Sequence, residues 1–202
     1  MPPYIINLRN SIMRFVNGLK RPSKRANRLL LKRRGQDLNS FVIREATAED
    51  IHDLALLHVK TWSETYGGHG PRFGVREFQW RELFKQSPRD WFVLVIENAA
   101  GELVGFAKGQ PYKHEGSLSE FHGELNKFYV LREYQRLGLG RKLLGQVASR
   151  LISMGIHNMV LFGIPQNPSC AFHEAMGGER LYDKNGVFQG GYGWRDLKRI
   201  AS

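Results

Sequence analysis

Three features are scarce in this chain of 202 residues: cysteine, long apolar runs, and acidic side chains near the N-terminus. The single cysteine, Cys170, excludes a disulfide within the chain and is typical of a reducing compartment. No apolar run reaches the length of a membrane span, and the histidines show no His-x-x-x-His spacing. We therefore expect a cytoplasmic protein with no metal site.

Acidic residues are missing mainly from residues 1–40, which hold ten of the 30 Lys and Arg but one of the 19 Asp and Glu. The nearly neutral remainder argues against a nucleic-acid surface covering the whole protein. Residues 20–34 predict contact with an anionic membrane or a nucleic acid, or else a solvated, disordered arm. Upstream, apolar residues at helical spacing indicate an amphipathic helix, with an organelle transit peptide and membrane-surface attachment as alternatives; they are Ile5, Leu8, Ile12, Phe15 and Leu19.

The composition changes near residue 40. We predict a basic, partly helical or disordered extension over 1–40 and one folded domain over 41–202, since 42% hydrophobic residues suffice for one core. Within the domain, apolar periodicity and turn residues predict strands at 41–44, 91–97, 103–109, 123–130, 159–163 and 188–197. Helices are predicted at 48–64, 75–84, 141–154 and from Asn167 to Gly177.

The most informative segment joins the predicted strand at 123–130 to the predicted helix at 141–154. It reads Gln135-Arg136-Leu137-Gly138-Leu139-Gly140, and we call residues 136–141 the glycine turn. Two glycines let backbone N–H groups converge, and the positive end of the helix dipole then attracts an anion such as a pyrophosphate. The third glycine of a dinucleotide fingerprint and the Gly-Lys-Ser/Thr of a P-loop are absent, which leaves the pattern Gln/Arg-x-x-Gly-x-Gly.

This pattern after an apolar strand resembles the acetyl-CoA site of the GNAT superfamily of N-acetyltransferases. The resemblance extends in element order from Phe41 to Leu197. It implies an α+β fold with a central mixed, mostly antiparallel sheet, flanked by helices and splayed at the acetyl-CoA site. It also implies an acetyl-CoA-dependent enzyme that acetylates an amine directly.

The resemblance assigns the cofactor contacts. The backbone amides of the glycine turn, from Arg136 through Leu137, Gly138, Leu139 and Gly140 to Arg141, are expected to bind the pyrophosphate. The main chain of Phe128 and Val130 is expected to pair with the pantetheine arm, and the amide of Tyr129 or a neighbour to face the thioester carbonyl. Asn167 is placed to hydrogen-bond the same arm, although a plain helix cap explains it equally well.

Two side chains are candidates for proton transfer. Glu124 falls where some superfamily members place a strand glutamate that deprotonates the amine through water, and a lysine-type amine has a pKa of about 10.4, so a base is needed near neutral pH. Glu120 and Asn126 are nearby substitutes. His173 replaces the tyrosine that usually protonates the thiolate, and an imidazole can donate a proton. Glu124 has a plain alternative as a solvent-facing charge at the end of a strand. His173 has one as a packing or capping residue.

The resemblance also implies that acceptor contacts come from the first two helices and the loop before the cofactor strand. Trp62, Tyr66 and Tyr112 are the aromatic candidates there, and Glu64, His114 and Glu115 the polar ones. A small-molecule amine is the first choice of acceptor, with a protein N-terminus or lysine as the enzymatic alternative. A non-catalytic acyl-CoA-binding regulator that acts through its basic arm is the rival from another class, and a homodimer is a further option.

Overall fold

A computed structural model describes residues 23–67, 70–113, 118–165 and 167–202. The amphipathic segment over 5–19, His114 and Glu115 lie outside these ranges. The helices are α1 (Lys24–Arg33), α2 (Ile51–Tyr66), α3 (Phe73–Phe84), α4 (Leu139–Ser153) and α5 (Cys170–Ala175). The strands are β1 (Val42–Glu45), β2 (Phe92–Glu97), β3 (Leu103–Pro111), β4 (Gly123–Val130), β5 (Met159–Phe162), β6 (Glu179–Tyr182) and β7 (Phe188–Trp194).

These strands form one sheet in the order β1-β2-β3-β4-β5-β7-β6. Neighbours are antiparallel everywhere in it except between β4 and β5. The parallel pair is joined through α4, as a parallel connection requires a crossover. The predicted fold class, a mixed and mostly antiparallel sheet flanked by helices, is confirmed.

The β4–β5 pair is short. Only Gly123 and Glu124 pair with β5, opposite Met159 and Val160, although β4 continues to Val130. Beyond Glu124 the two strands diverge, so that one edge of β4 is left open over residues 125–130. This is the splay expected from the sequence, and it creates a cleft in the middle of the sheet.

Side chains alternate along each strand, so both faces of the sheet carry side chains. Helices cover both of these faces. On one face, His58 of α2 and Trp80 of α3 contact the ring of Phe106, and His58 also contacts Tyr129. On the other face lies α4, whose buried stripe contains Leu143, Leu144, Val147, Ala148 and Leu151. The cleft therefore lies between two buried layers that fix the position of β4.

Part of the basic extension packs on the body. Leu31 of α1 is buried in the hydrophobic core, and the buried amide of Asn27 donates to the carbonyls of Arg132 and Gln135, both at 2.9 Å. The remaining basic side chains of α1 are exposed. The division of the chain at residue 40 stays a prediction, but α1 is attached to the segment that leads into the glycine turn.

Most predicted elements are present with ends shifted by a few residues. The capping box at the start of α2 forms, since the Thr47 N–H donates to Asp50 Oδ2 at 2.7 Å. Strand β6 was not predicted; it pairs with β7 at the edge of the sheet. In the described ranges, no helix is long and apolar enough to cross a membrane.

Candidate active site

The cleft between β4 and β5 collects most of the predicted site residues. Its lining comes from the end of α2, from β4, from the glycine turn and from β5 through α5. The predicted residues among its lining are Glu64, Tyr66, Asn126, Phe128, Tyr129, Val130, Gln135, Arg136, Gly140, Asn167 and His173. One cleft thus brings together chain segments more than a hundred residues apart.

The glycine turn has the backbone that its sequence indicates. Gly138 caps α4 with a left-handed φ of 91°, and Arg136 also has a positive φ of 63°. A Cβ on Gly138 would meet no atom within 4 Å, so any side chain there would extend into open space. Within the described ranges, no protein group accepts from the N–H groups of residues 136–141. These amides, at the positive end of α4, are free to bind an anion.

The side chains around the turn anchor it to the protein. Leu139 is buried in the core and Leu137 packs against it, while Arg136 and Arg141 are exposed. A Cβ on Gly140 would lie 3.4 Å from the Phe172 ring, an ordinary contact distance, so this ring packs directly beside the turn. The turn therefore offers backbone N–H groups rather than a fixed cage of charged side chains.

The open edge of β4 presents alternate residues to the cleft. Leu131 donates its N–H to the Val104 carbonyl of β3, and because bonding directions alternate along a strand, Tyr129 also faces β3. Phe128 and Val130 consequently direct their N–H and carbonyl groups into the cleft. Of the two options from the sequence, the geometry favours these neighbours over the Tyr129 amide for contact with a bound carbonyl.

Gln135 has a different contact from the glycines of its motif. Its side chain donates from Nε2 to the Val130 carbonyl at 2.8 Å. This bond closes the end of the open β4 edge and ties it to the start of the glycine turn. Gln135 thus orients the backbone that the cofactor is expected to contact.

Asn167 lies in the opposite wall of the cleft and is buried. Its Oδ1 accepts from the Ser169 N–H at 2.9 Å, and its carbonyl accepts from the Cys170 N–H. These bonds close a turn just before α5, whose N-cap is Ser169, with no side-chain cap bond, and not the expected Asn167. The Nδ2 group of Asn167 remains as a donor for a ligand in the cleft.

Glu124 lies at the point where β4 and β5 part. Its carboxylate is half-buried and accepts from Gln110 Nε2 at 2.6 Å and from Asn126 Nδ2 at 3.0 Å. The register between β3 and β4 shifts here, and Asn126 is the extra residue of a β-bulge. The bulge brings the Asn126 amide onto the carboxylate, which fixes the orientation of Glu124.

His173 is buried among aromatic rings and lines the cleft. The rings of Phe128, Phe172, Tyr192 and Trp194 surround it. Burial lowers its pKa from 6.5 to about 4, although the Glu174 carboxylate opposes this shift. At neutral pH the imidazole is therefore uncharged.

The predicted acceptor residues do not all line the cleft: Tyr66 and Glu64 do, whereas Trp62 and Tyr112 do not. Tyr66 lines the cleft, whereas Trp62 is packed between the Tyr66 ring, 4.5 Å away, and the Arg76 guanidinium, 5.1 Å away. Tyr112 lies beyond the end of β3 with its ring 5.9 Å from that of Phe162 on β5. Glu64 accepts the Arg132 N–H at 2.8 Å, so it holds the segment before the glycine turn.

The donor set matches a cofactor with a phosphate end and an amide-containing arm. Free backbone amides at the start of α4 fit a pyrophosphate, and the open β4 edge fits an extended arm with peptide-like groups. Cys170 is absent from the cleft lining, and its thiol contacts the Ile164 carbonyl at 3.8 Å. The arrangement supports transfer between two bound molecules without a cysteine nucleophile.

Comparison with known proteins agrees with this geometry. The sequence profile of the Acetyltransferase (GNAT) family matches residues 52–178. The chain belongs to the GNAT family of acetyltransferases. The predicted class of enzyme, an N-acetyltransferase that uses acetyl-CoA as donor, is thereby confirmed.

Three relatives illustrate the match. The chain is 34% identical over 173 residues to the uncharacterized N-acetyltransferase YuaI of Bacillus subtilis strain 168, covering 79% of this chain and 96% of that protein. It is 28% identical over 127 residues to phosphinothricin N-acetyltransferase of Streptomyces viridochromogenes, covering 55% and 66%. The solved structure of yncA from Salmonella typhimurium with acetyl-CoA superposes with a TM-score of 0.57 at 20% identity, covering 79% and 95%.

Several residues of this GNAT domain lie at the site but were not predicted from the sequence. Asn27 reaches it from α1, Gln110 from β3, and three cations lie beside it, of which Arg76 and Lys108 are buried and Lys127 is half-buried. Gln110 shares a face with Glu124 only through strand pairing, which the sequence does not display. Lys108 carried a signal, since it is the one charged residue of β3, whereas β4 also contains Glu124.

Proposed function

We propose that this GNAT enzyme transfers an acetyl group directly to the primary amine of a small molecule. One observation supports this most: the open edge of β4 joins two reactive regions. At one end lie the free amides of the glycine turn, and at the other lies the half-buried carboxylate of Glu124. A donor laid along this edge would place its reacting end near a base.

The backbone supplies the cofactor contacts in this proposal. The amides of residues 136–141 bind the pyrophosphate, and the cleft-facing groups of Phe128 and Val130 hydrogen-bond the pantetheine arm. Asn167 Nδ2 binds the same arm from the opposite wall. Bound acetyl-CoA supplies the acetyl group as an activated thioester. An N–H of β4, from Phe128 or Val130, stabilises the negative charge that develops on the carbonyl oxygen.

Glu124 is the proposed general base. Two amide donors hold its carboxylate in one orientation, and a carboxylate has further lone pairs that can accept from a water molecule. The proton moves from the ammonium group of the acceptor through this water to Glu124. The neutral amine is then the nucleophile, so no covalent intermediate on the enzyme is needed.

His173 keeps a smaller role in the proposal. As a neutral imidazole it donates a hydrogen bond to the departing sulfur, but it does not carry the extra proton at pH 7. A thiol has a pKa of about 8.5 by analogy with cysteine, so its anion leaves without strong acid assistance. Loss of His173 should therefore affect turnover much less than loss of Glu124.

A small acceptor is supported by the wall of the cleft at the end of α2. Glu64, Thr65 and Tyr66 line the same cleft as Lys127. The relative from Streptomyces viridochromogenes is also named for acetylation of a small molecule, phosphinothricin. Acetylation of a protein N-terminus or lysine is the alternative within the same chemistry.

The test is an acceptor screen with the full chain. Purified protein is incubated with acetyl-CoA and a panel of small primary amines, beside one peptide with a free N-terminus and one lysine peptide with a blocked N-terminus. Released CoA and the mass of the product are measured. The proposal expects acetylation of a small amine and little turnover of the peptides; turnover of a peptide alone would contradict it.

A further inference from the structure

Three cations lie inside the protein next to the cleft. Arg76 of α3 and Lys108 of β3 are each 8% exposed, and Lys127 of β4 is half-buried and lines the cleft. Lys108 and Lys127 lie directly opposite each other on neighbouring strands. Like charges in this position repel, so the arrangement costs stability unless something compensates for it.

No carboxylate forms a direct ion pair with these three cations in the part of the chain that the structure describes, although Glu124 and Asp90 attract Lys108 from farther away. Lys127 Nζ donates to Asn126 Oδ1 at 2.7 Å, and Lys108 Nζ donates to Gln110 Oε1, so both contact neutral amides. Arg76 Nη1 donates to Gln79 at 3.0 Å, while its buried Nε has no partner in the described residues. A buried guanidinium with an unused donor is costly.

The electrostatic balance agrees with this geometry. Burial, followed by the charges of Lys108 and Arg76, lowers the pKa of Lys127 to about 8. Burial also lowers the pKa of Lys108, against the attraction of Glu124 and Asp90. A bound anion would relieve both the repulsion and the loss of hydration.

The cations face the acceptor side of the cleft rather than the phosphate side. Lys127 and Tyr129 point to the face covered by α2 and α3, where Tyr129 contacts His58. The glycine turn opens α4, which covers the opposite face. The cofactor phosphates therefore do not account for the cluster.

We propose that Lys127, with Lys108 and Arg76 behind it, forms an oxyanion subsite of the acceptor pocket. The acceptor is then a small amine that also carries a carboxylate or a phosphonate close to its amino group. This inference rests on the proposed function, since it names the substrate class of the same site. Lys127 lines the cleft and supplies its ammonium group, the buried charges of Arg76 and Lys108 add to the positive potential behind it, and Glu124 lies on the neighbouring part of β4 to receive the amine.

The first test compares acceptors that share a side chain and differ only in the anion. L-Leucine, its phosphonate analogue and 3-methylbutylamine form one such set, and equivalent sets with the uncharged side chains of methionine and phenylalanine extend it. The proposal expects an anionic acceptor to exceed the matching neutral amine in kcat/KM by about 10- to 100-fold, the value of a hydrogen bond to a charged group. The carboxylate and phosphonate arms show which oxyanion fits.

The second test removes the cations. Arg76→Met and Lys127→Met should bring the preference for anionic acceptors close to unity while acetyl-CoA binding stays intact. Arg81→Met is the matched control, because Arg81 is an exposed residue of the same helix paired with Glu77. It should keep the wild-type preference. Equal or better turnover of the neutral amines by the wild type would overturn the subsite and leave the proposed function standing.

A binding measurement separates the two proposals. Calorimetry of CoA-saturated protein with N-acetyl-L-leucine, its methionine and phenylalanine counterparts, and N-acetyl-3-methylbutylamine needs no turnover. Binding of an anionic product that Lys127→Met loses supports the subsite even if every amine fails in the activity screen. Binding that is absent for all anionic probes, or unchanged in Lys127→Met, overturns it.

Discussion

Gln110 on β3 lies directly opposite Glu124 on β4 and donates a 2.6 Å hydrogen bond from Nε2 to Oε2 of that carboxylate. Asn126 donates to the other oxygen, and Lys108 and Lys127 each contact the carbonyl oxygen of one of these amides. Two lysines thus polarise two amides that both point at Glu124. The β-bulge at Asn126 makes this arrangement possible, because it adds the residue that completes the second arm.

Replacement of Glu124 by Gln should lower kcat/KM by about 10²- to 10⁴-fold near neutral pH, the usual contribution of a general base. The deficit should shrink at high pH, because an acceptor amine with a pKa of about 10 then loses its proton to solvent. Rates measured from pH 6 to pH 10 test this.

Glu120→Gln is the control for this change. Glu120 is an exposed glutamate that pairs with Arg195, so its replacement should leave the rate unchanged. A constant deficit of Glu124→Gln across the pH range would argue that Glu124 positions the substrate and does not accept a proton.

Replacement of Gly138 by Glu should abolish acetyl-CoA binding. Gly138 has a φ of 91° and open space at its Cβ position, so the new carboxylate would occupy the region that the phosphates need. Thermal unfolding with and without acetyl-CoA measures this, since saturation at 100 times Kd stabilises a protein by about 2.7 kcal/mol. The variant should show no shift.

Gly101→Glu provides a matched control for the backbone strain. Gly101 also has a positive φ, 80°, with nothing near its Cβ position, but it lies in the β2–β3 hairpin away from the cleft. Both variants should lose about 1–2 kcal/mol through left-handed strain. Only Gly101→Glu should keep the full response to acetyl-CoA, and a full response in Gly138→Glu would mean that the phosphates bind elsewhere.

The sequence carried the local part of this site well. The glycine turn, the strand before it and the helix after it lie within 32 contiguous residues, 123–154, so their roles follow from short-range pattern and backbone chemistry. Gly138 could therefore be identified without knowledge of the fold, whereas the role of Val130 came from the family resemblance. The splay of β4 from β5 came from the family resemblance, because no residue pattern records where strand pairing stops.

The nonlocal part of the site was beyond sequence reasoning. Gln110 meets Glu124 through strand register, and Arg76 approaches Lys127 through the packing of α3 on the sheet, so each pair depends on tertiary contacts. Burial likewise decided the state of His173, whose unperturbed pKa would have suited an acid. Strand β6 was missed because its four residues, three of them exposed, show little apolar alternation.

Two buried histidines should make the protein sensitive to acid. Burial, assisted by the charges of Arg76 and Lys127, lowers the pKa of His58 to about 2, and burial lowers that of His173 to about 4. Below pH 6.5 the unfolded chain binds protons at these positions that the folded chain does not, so stability falls as pH falls. Each histidine should cost about 1.4 kcal/mol per pH unit, down to about pH 4 for His173.

Urea unfolding at pH 7, 6 and 5 measures this slope. His173→Phe should reduce the acid-induced loss of unfolding free energy and should lower kcat at pH 7 by less than about tenfold, because the neutral imidazole is a weak acid. A loss of kcat comparable to that of Glu124→Gln would show that His173 is the essential acid after all. An unchanged slope would show that its pKa is not depressed.

Helix α1 should affect cofactor binding although it lies far from the glycine turn in sequence. Asn27 donates to the carbonyls of Arg132 and Gln135, and Gln135 in turn donates to Val130 on the open strand edge. Asn27→Ala leaves two carbonyls without their partner, which should cost about 1–3 kcal/mol of stability and raise the Kd for acetyl-CoA. Arg28→Ala, at the exposed neighbouring position, should change neither quantity. Calorimetric titration of the folded variants at a temperature well below unfolding separates the effect on stability from the effect on acetyl-CoA binding. A loss of stability with a wild-type Kd would make α1 a structural support only. A raised Kd in Asn27→Ala alone would show that the extension helps to shape the site.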